Sequence, residues 1–125
     1  MTTWQDVKAF IYRNYSVNDD TGDMLVLLLN TDSVRSQYVL IAGDSESAAL
    51  RVSSPIGRTD AIDGNVLLSL SSNRIMGVKQ VGDMYYVTSP LLSDEVTGAL
   101  LDTLILLAAD EADSYERDLG LGDAY

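Results

Sequence analysis

The spacing of apolar residues predicts the first element. Trp4, Val7, Phe10 or Ile11, and Tyr15 recur near the helical period, and Asp6, Lys8, Arg13 and Asn14 fall on the opposite side. With Thr2 or Thr3 as its cap, this segment is an amphipathic helix that lays an aromatic stripe on a sheet. Asn18 to Gly22 reads as a turn. The unbroken apolar run Met24 to Leu29 then predicts a strand covered on both faces, and hence a central one. Asn30 to Ser33 supplies the next turn.

From Val34 the period changes to two. Val34, Ser36, Tyr38, Leu40 and Ala42 point one way, while Arg35, Gln37, Val39 and Ile41 point the other. After Gly43-Asp44, Ala48, Leu50 and Val52 alternate with Ala49, Arg51 and Ser53. This strand is expected to stop at Ser54-Pro55, where proline lacks a ladder donor. The two strands make an antiparallel hairpin. Residues 60–70 predict a short helix with Ile62, Val66 and Leu70 on one side, weakened by about 1 kcal/mol by an interior Gly64. Residues 74–81 and 84–89 flank Gly82-Asp83, a two-residue hairpin turn, and Pro90 ends the pair. Ser93 or Asp94 is the expected cap of a long helix running to Gly120. Its 99–109 section is apolar on nearly every side, which calls for cover by the sheet, the first helix or another subunit.

The predicted fold is therefore α+β, in the order α-β-β-β-α-β-β-α: an antiparallel five-stranded sheet packed by the N- and C-terminal helices. A single domain is expected over residues 1–119, with a short acidic tail at 120–125. The Gly-Asp turns at 43 and 82 each lead through a strand to a Ser-Pro step, an echo explained by two hairpins with Pro-marked exits.

Charge narrows the choice of partners. The 125-residue chain carries 19 acids against 8 bases, a net charge of −11, which disfavours nucleic acid and anionic membranes. Nine of the acids and one base lie between Ser93 and Tyr125, so the last helix has a solvated acidic face or offers one to a basic partner. Residues Met1 to Asp6 lack the basic and apolar regions of a signal peptide, and the apolar run at 99–109 is too short to span a bilayer, so the expected location is the cytoplasm.

Chemistry is limited by what is missing. The chain has no His and no Cys, which removes most hydrolase triads, thiolate catalysis and the usual zinc ligands. Neither Lys8 nor Lys79 sits in a Ser-Lys motif, and no Gly-x-Ser-x-Gly elbow is present. Asp110, Glu111 and Asp113 lie at helical spacing and fan out instead of converging. The stretch Asn18 to Asp23 has oxygen ligands beside Gly22 but places Leu28 where a calcium loop needs an acid. No catalytic residues, metal ligands or cofactors are assigned, and the protein is read as a non-enzyme. Among the bases Arg35, Arg51 and Lys79, Arg35 and Arg51 each interrupt an otherwise apolar strand, on an expected exposed sheet face beside Val39, Ile41 and Ala49: they either pair with the chain's own acids or meet an acidic or extended ligand. The tentative peptide-binding set is Arg35, Gln37, Val39, Ile41 and Arg51, taken from the alternation alone.

These features resemble the type III secretion chaperone-like fold, and in particular the YbjN and CesT-like family in its actinobacterial members. The resemblance rests on the Trp4-containing helix, the apolar strand 24–29, Arg35-Ser36-Gln37, Ser54-Pro55-Ile56-Gly57 and the acidic last helix reaching Ala109-Asp110. It implies a small, acidic, dimeric, chaperone-like or regulatory protein that holds an extended partner polypeptide. Gly64 weakens the helix that commonly builds the secretion-chaperone dimer interface. The leading expectation is thus a protein- or peptide-binding module acting by sheet-face contact or strand addition, with a homodimer as the implied assembly. A small-ligand sensor would need a pocket between the long helix and the sheet. A carboxylate-based enzyme would need two acids converging in a cleft with a perturbed pKa.

Overall fold

The computed structural model describes residues 1, 3–31, 35–43, 49–92 and 96–121. Helix α1 (Trp4–Asn14) leads into strands β1 (Val17–Asp20), β2 (Met24–Asn30), β3 (Ser36–Gly43) and β4 (Leu50–Arg58). Helix α2 (Gly64–Ser71), strands β5 (Gly77–Val81) and β6 (Met84–Thr88), and helix α3 (Gly98–Asp118) follow. The fold is α+β with one antiparallel sheet in the order β1-β2-β3-β4-β6-β5. Helix α2 carries the chain from β4 past the β6 position to the far edge, and the Gly82-Asp83 turn returns it inward, with Gly82 at φ +59°.

The sheet has six strands, one more than the pattern predicted. The additional strand, β1, occupies residues read as a turn. Its Asn18, Asp19 and Asp20 are exposed, the composition expected of a protected edge strand. The turn itself lies at Thr21–Asp23, where the Asp20 carboxylate accepts from the Gly22 N–H at 2.8 Å and from the Tyr12 hydroxyl at 2.7 Å.

Strand β4 also continues past Pro55. Its backbone pairing with β3 runs from Gly43↔Leu50 to Leu40↔Ser53, beyond which side chains bridge the two strands. The Ser54 hydroxyl donates to the Tyr38 carbonyl, and Gln37 Nε2 donates to the Pro55 carbonyl at 2.7 Å. On the other side β6 stays paired through a bulge between Pro55 and Gly57. The donor that proline lacks is therefore tolerated, and the strand reaches Arg58.

The three described helices lie on one side of the sheet. Trp4, Val7 and Ile11 of α1 join Leu101, Ile105 and Ala112 of α3 over Leu25, Leu27, Val39, Ile41, Leu50 and Val52 in one core. The α1 and α3 helices are neighbours, tied by the Tyr15 hydroxyl donating to Asp102 at 2.6 Å. Arg74, just beyond α2, donates to the Leu70 carbonyl at 2.9 Å and to Ser114 and Asp118 of α3 at 2.8 and 2.6 Å. Glu111 of α3 accepts the Ile75 and Met76 N–H groups at 2.9 and 2.8 Å, which fixes the approach to β5.

Three helix details depart from the sequence pattern. Helix α2 starts at Gly64 with Asp63 as its cap, so the glycine sits at the first turn instead of the interior. That later start moves the buried position to Leu67, while Val66 is 47% exposed and Ile62 is buried ahead of the helix. The cap of α3 is Thr97, which accepts from the Leu100 N–H at 3.1 Å; Ser93 and Asp94 lie outside the described residues. Leu121 folds back onto the core edge, so the segment after residue 119 begins inside the domain. No helix among the described residues is long and apolar enough to cross a membrane.

Candidate functional site

Among the described residues, the second face of the sheet carries no helix. Its residues follow from the register: Met24 lies opposite Ala42, Val26 opposite Leu40, and Leu28 opposite Tyr38. Leu40 and Ala42 face Ser53 and Arg51 of β4, Ser53 faces Thr88 of β6, and Lys79 of β5 faces Tyr86. Directly opposed residues share a face, so the bare surface runs across β2, β3, β4, β6 and β5. Much of it is apolar, with Leu28 46% and Val81 56% exposed. The uninterrupted apolarity of β2, read as a sign of two covered faces, has this cause: Leu25 and Leu27 enter the core, while Met24, Val26 and Leu28 form part of the bare face. The strand is second from the edge, not central.

Two shallow cavities indent this face. One, of about 270 Å³, is lined entirely by strands, among them Met24, Leu40, Val81 and Tyr86. The other, of about 310 Å³, is bordered by Ala49, Arg51 and Leu91, and the two share Ala42 and Lys79. The Lys79 ammonium stands 5.7 Å from the centre of the Tyr86 ring. Burial and the neighbouring Arg51 guanidinium hold it below the usual lysine range.

The predicted peptide-binding residues divide between the two faces. Arg51 lies on the bare face. Gln37, Val39 and Ile41 are fully buried beneath the helices, so the exposed-face assignment made for them is corrected. Arg35 shares their side of β3, and its guanidinium pairs with two α3 carboxylates, Asp113 at 2.6 Å and Glu116 at 3.1 Å. The side chains alternate as the sequence predicts, but the face carrying Gln37, Val39 and Ile41 is the covered one. Arg35 and Gln37 make the core face look polar because their partners are distant in sequence: α3 carboxylates some eighty positions away for Arg35, and the Pro55 carbonyl of β4 for Gln37.

Asp113 and Glu116 are also the two converging acids that a carboxylate mechanism would require. Asp113 is held further by the Thr31 hydroxyl at 3.2 Å and by Arg117 at 3.3 Å. Burial is the main cause that pushes the Glu116 carboxyl up to about 7, with Arg35 opposing it. Both acids are essentially inaccessible, at 1% and 0% exposure, with a guanidinium between them. Neither lines any of the cavities described here. Their arrangement locks α3 to β3.

No family model, curated protein or solved structure matches the chain. The bare face thus stands on its geometry alone. Sequence reasoning missed Met24, Leu40, Val81 and Tyr86 as its lining. The usable signal was β4, where Leu50 and Val52 oppose Arg51 and Ser53; that contrast identifies the core side, and antiparallel pairing carries it to β3.

Proposed function

We propose that this protein is a cytoplasmic, non-enzymatic polypeptide-binding module of the secretion chaperone-like kind, holding an extended segment against its bare sheet face. The observation that carries this reading is the face itself: β2, β3, β5 and β6 present apolar side chains to solvent, with Arg51 and Ser53 of β4 among them, while the three described helices are spent on the other side. A soluble chain rarely leaves so continuous an apolar surface without an occupant. Strand β5 adds an edge beside that face where a partner strand can pair.

The test is site-specific photocrosslinking in the source cell. A photoreactive amino acid at Leu40 or Val81 should capture a polypeptide that the same group at Thr103, on the outer side of α3, does not. A synthetic segment from the captured chain should then bind the purified protein and compete with the crosslink. Equal capture at both places, or none, would overturn the reading.

A small-ligand sensor is favoured by a different feature. An apolar cavity of about 350 Å³ lies between α3 and the β5–β6 edge, with Met76, Leu104 and Leu107 in its lining. Ligand-dependent thermal stabilisation abolished by Leu104→Trp would support that reading over the first.

A further inference from the structure

Basic side chains in this acidic protein are mostly neutralised locally. Lys8, Arg35, Arg58, Arg74 and Arg117 each form an ion pair with a described carboxylate. Arg13, on the exposed side of α1, and Arg51 and Lys79, on the bare face, do not: among the described residues none of the three has a carboxylate partner. Arg51 and Lys79 stand close enough for the charge of one to act on the other, and both border the cavity that also holds Ala42 and Leu91. Two like charges side by side on a partly apolar surface repel each other, and an anion between them relieves that repulsion. The second cavity begins at Lys79 and continues over Met24, Leu40 and Val81. A cationic pair thus adjoins an apolar depression.

We propose that the bare sheet face selects peptide segments in which an Asp or Glu carboxylate sits between Arg51 and Lys79 and an apolar side chain two positions away fills the depression beside them. The spacing follows from the extended backbone, in which residues two apart face the same side. The inference rests on the peptide-binding reading and names the chemistry of its ligand. A nucleic acid is a poor match, because its many phosphates would meet two cations inside the field of a −11 chain. A peptide with a single acid among apolar residues avoids most of that repulsion.

The experiment is selection from a phage-displayed random peptide library, run in parallel on the wild-type chain and on the Arg51→Glu, Lys79→Glu variant. Both proteins are first matched for circular dichroism and melting temperature, and Arg51→Gln with Lys79→Gln replaces the reversed pair if that pair does not fold. Wild-type clones should share an acidic residue with an apolar residue two positions away. Synthetic versions should lose roughly tenfold in affinity when the acid becomes its amide, and amide chemical shifts should move at Leu40, Ser53 and Lys79. The reversed protein should select Lys or Arg at the same place, and the neutral pair should select no charge there. Clones that bind the bare face with no acidic preference, or an amide change of less than twofold, would sink this inference and leave the peptide-binding reading standing. Competition by an oligonucleotide at that face would overturn it in favour of phosphate. No clones, or clones that map to the helix side, would overturn both.

Discussion

Glu116 provides the most quantitative test of the energetics. It lies beneath Arg35 with no exposure; Oε2 is 3.1 Å from the guanidinium, and Oε1 is buried without a hydrogen-bond partner among the described residues. Burial raises the carboxyl from its ordinary 4.5 to about 7, the Asp113 charge adds to the rise, and Arg35 and the Gln37 amide oppose it. Between those two values the native chain holds a proton that the unfolded chain has released. Its contribution to stability is therefore full below the unfolded value, is lost as the pH rises toward about 7, and is flat above it. The range corresponds to about 3 kcal/mol, or roughly 10 °C in Tm for a domain of this size. The perturbation is Glu116→Gln, a neutral side chain of nearly the same shape. Urea and thermal unfolding of both proteins across about pH 5 to pH 8 should give curves that converge at the acid end. At the alkaline end the variant should be the more stable by about 3 kcal/mol. Protonation elsewhere also relieves repulsion in this acidic chain, but it does so in both proteins and cancels in the difference. A variant less stable than wild type at the alkaline end would refute the reasoning, because the Arg35 ion pair would then outweigh desolvation.

Three further outcomes follow from packing. A Cβ at Gly43 overlaps the Trp4 ring, so Gly43→Ala should destabilise by about 2 kcal/mol in urea unfolding and change the Trp4 fluorescence. The Tyr115 hydroxyl is buried without a partner among the described residues, so Tyr115→Phe should be neutral or stabilising by up to about 1 kcal/mol; a clear loss would show that the hydroxyl is satisfied. Arg74 stacks 4.5 Å from the centre of the Tyr115 ring while donating to Leu70, Ser114 and Asp118, a geometry that an ammonium does not reproduce. Arg74→Lys should therefore cost about 1 to 2 kcal/mol and speed hydrogen exchange at the α2 C-terminus.

The sequence by itself determined the elements whose signals are local. Helix α1 was legible from Thr3, Trp4, Val7 and Ile11, because a cap and a helical period need no distant partner. The β5–β6 hairpin was legible from Gly82, since its turn chemistry is complete within a few residues. The parity of β3 was also correct, because side chains alternate whichever face is buried. What only the tertiary structure decided was which face that is. Arg35 and Gln37 look like surface residues until Asp113 and Glu116 of α3 and the Pro55 carbonyl meet them, and those contacts span sequence separations that no local pattern encodes. The same holds for Pro55, tolerated in mid-strand because Gln37 and Ser54 bridge to its neighbour, and for β1, whose acidic residues pair only because β2 presents a free edge. Local chemistry specified the pieces; the packing of three helices on one side of the sheet left the other side bare and set Arg51 beside Lys79 on it.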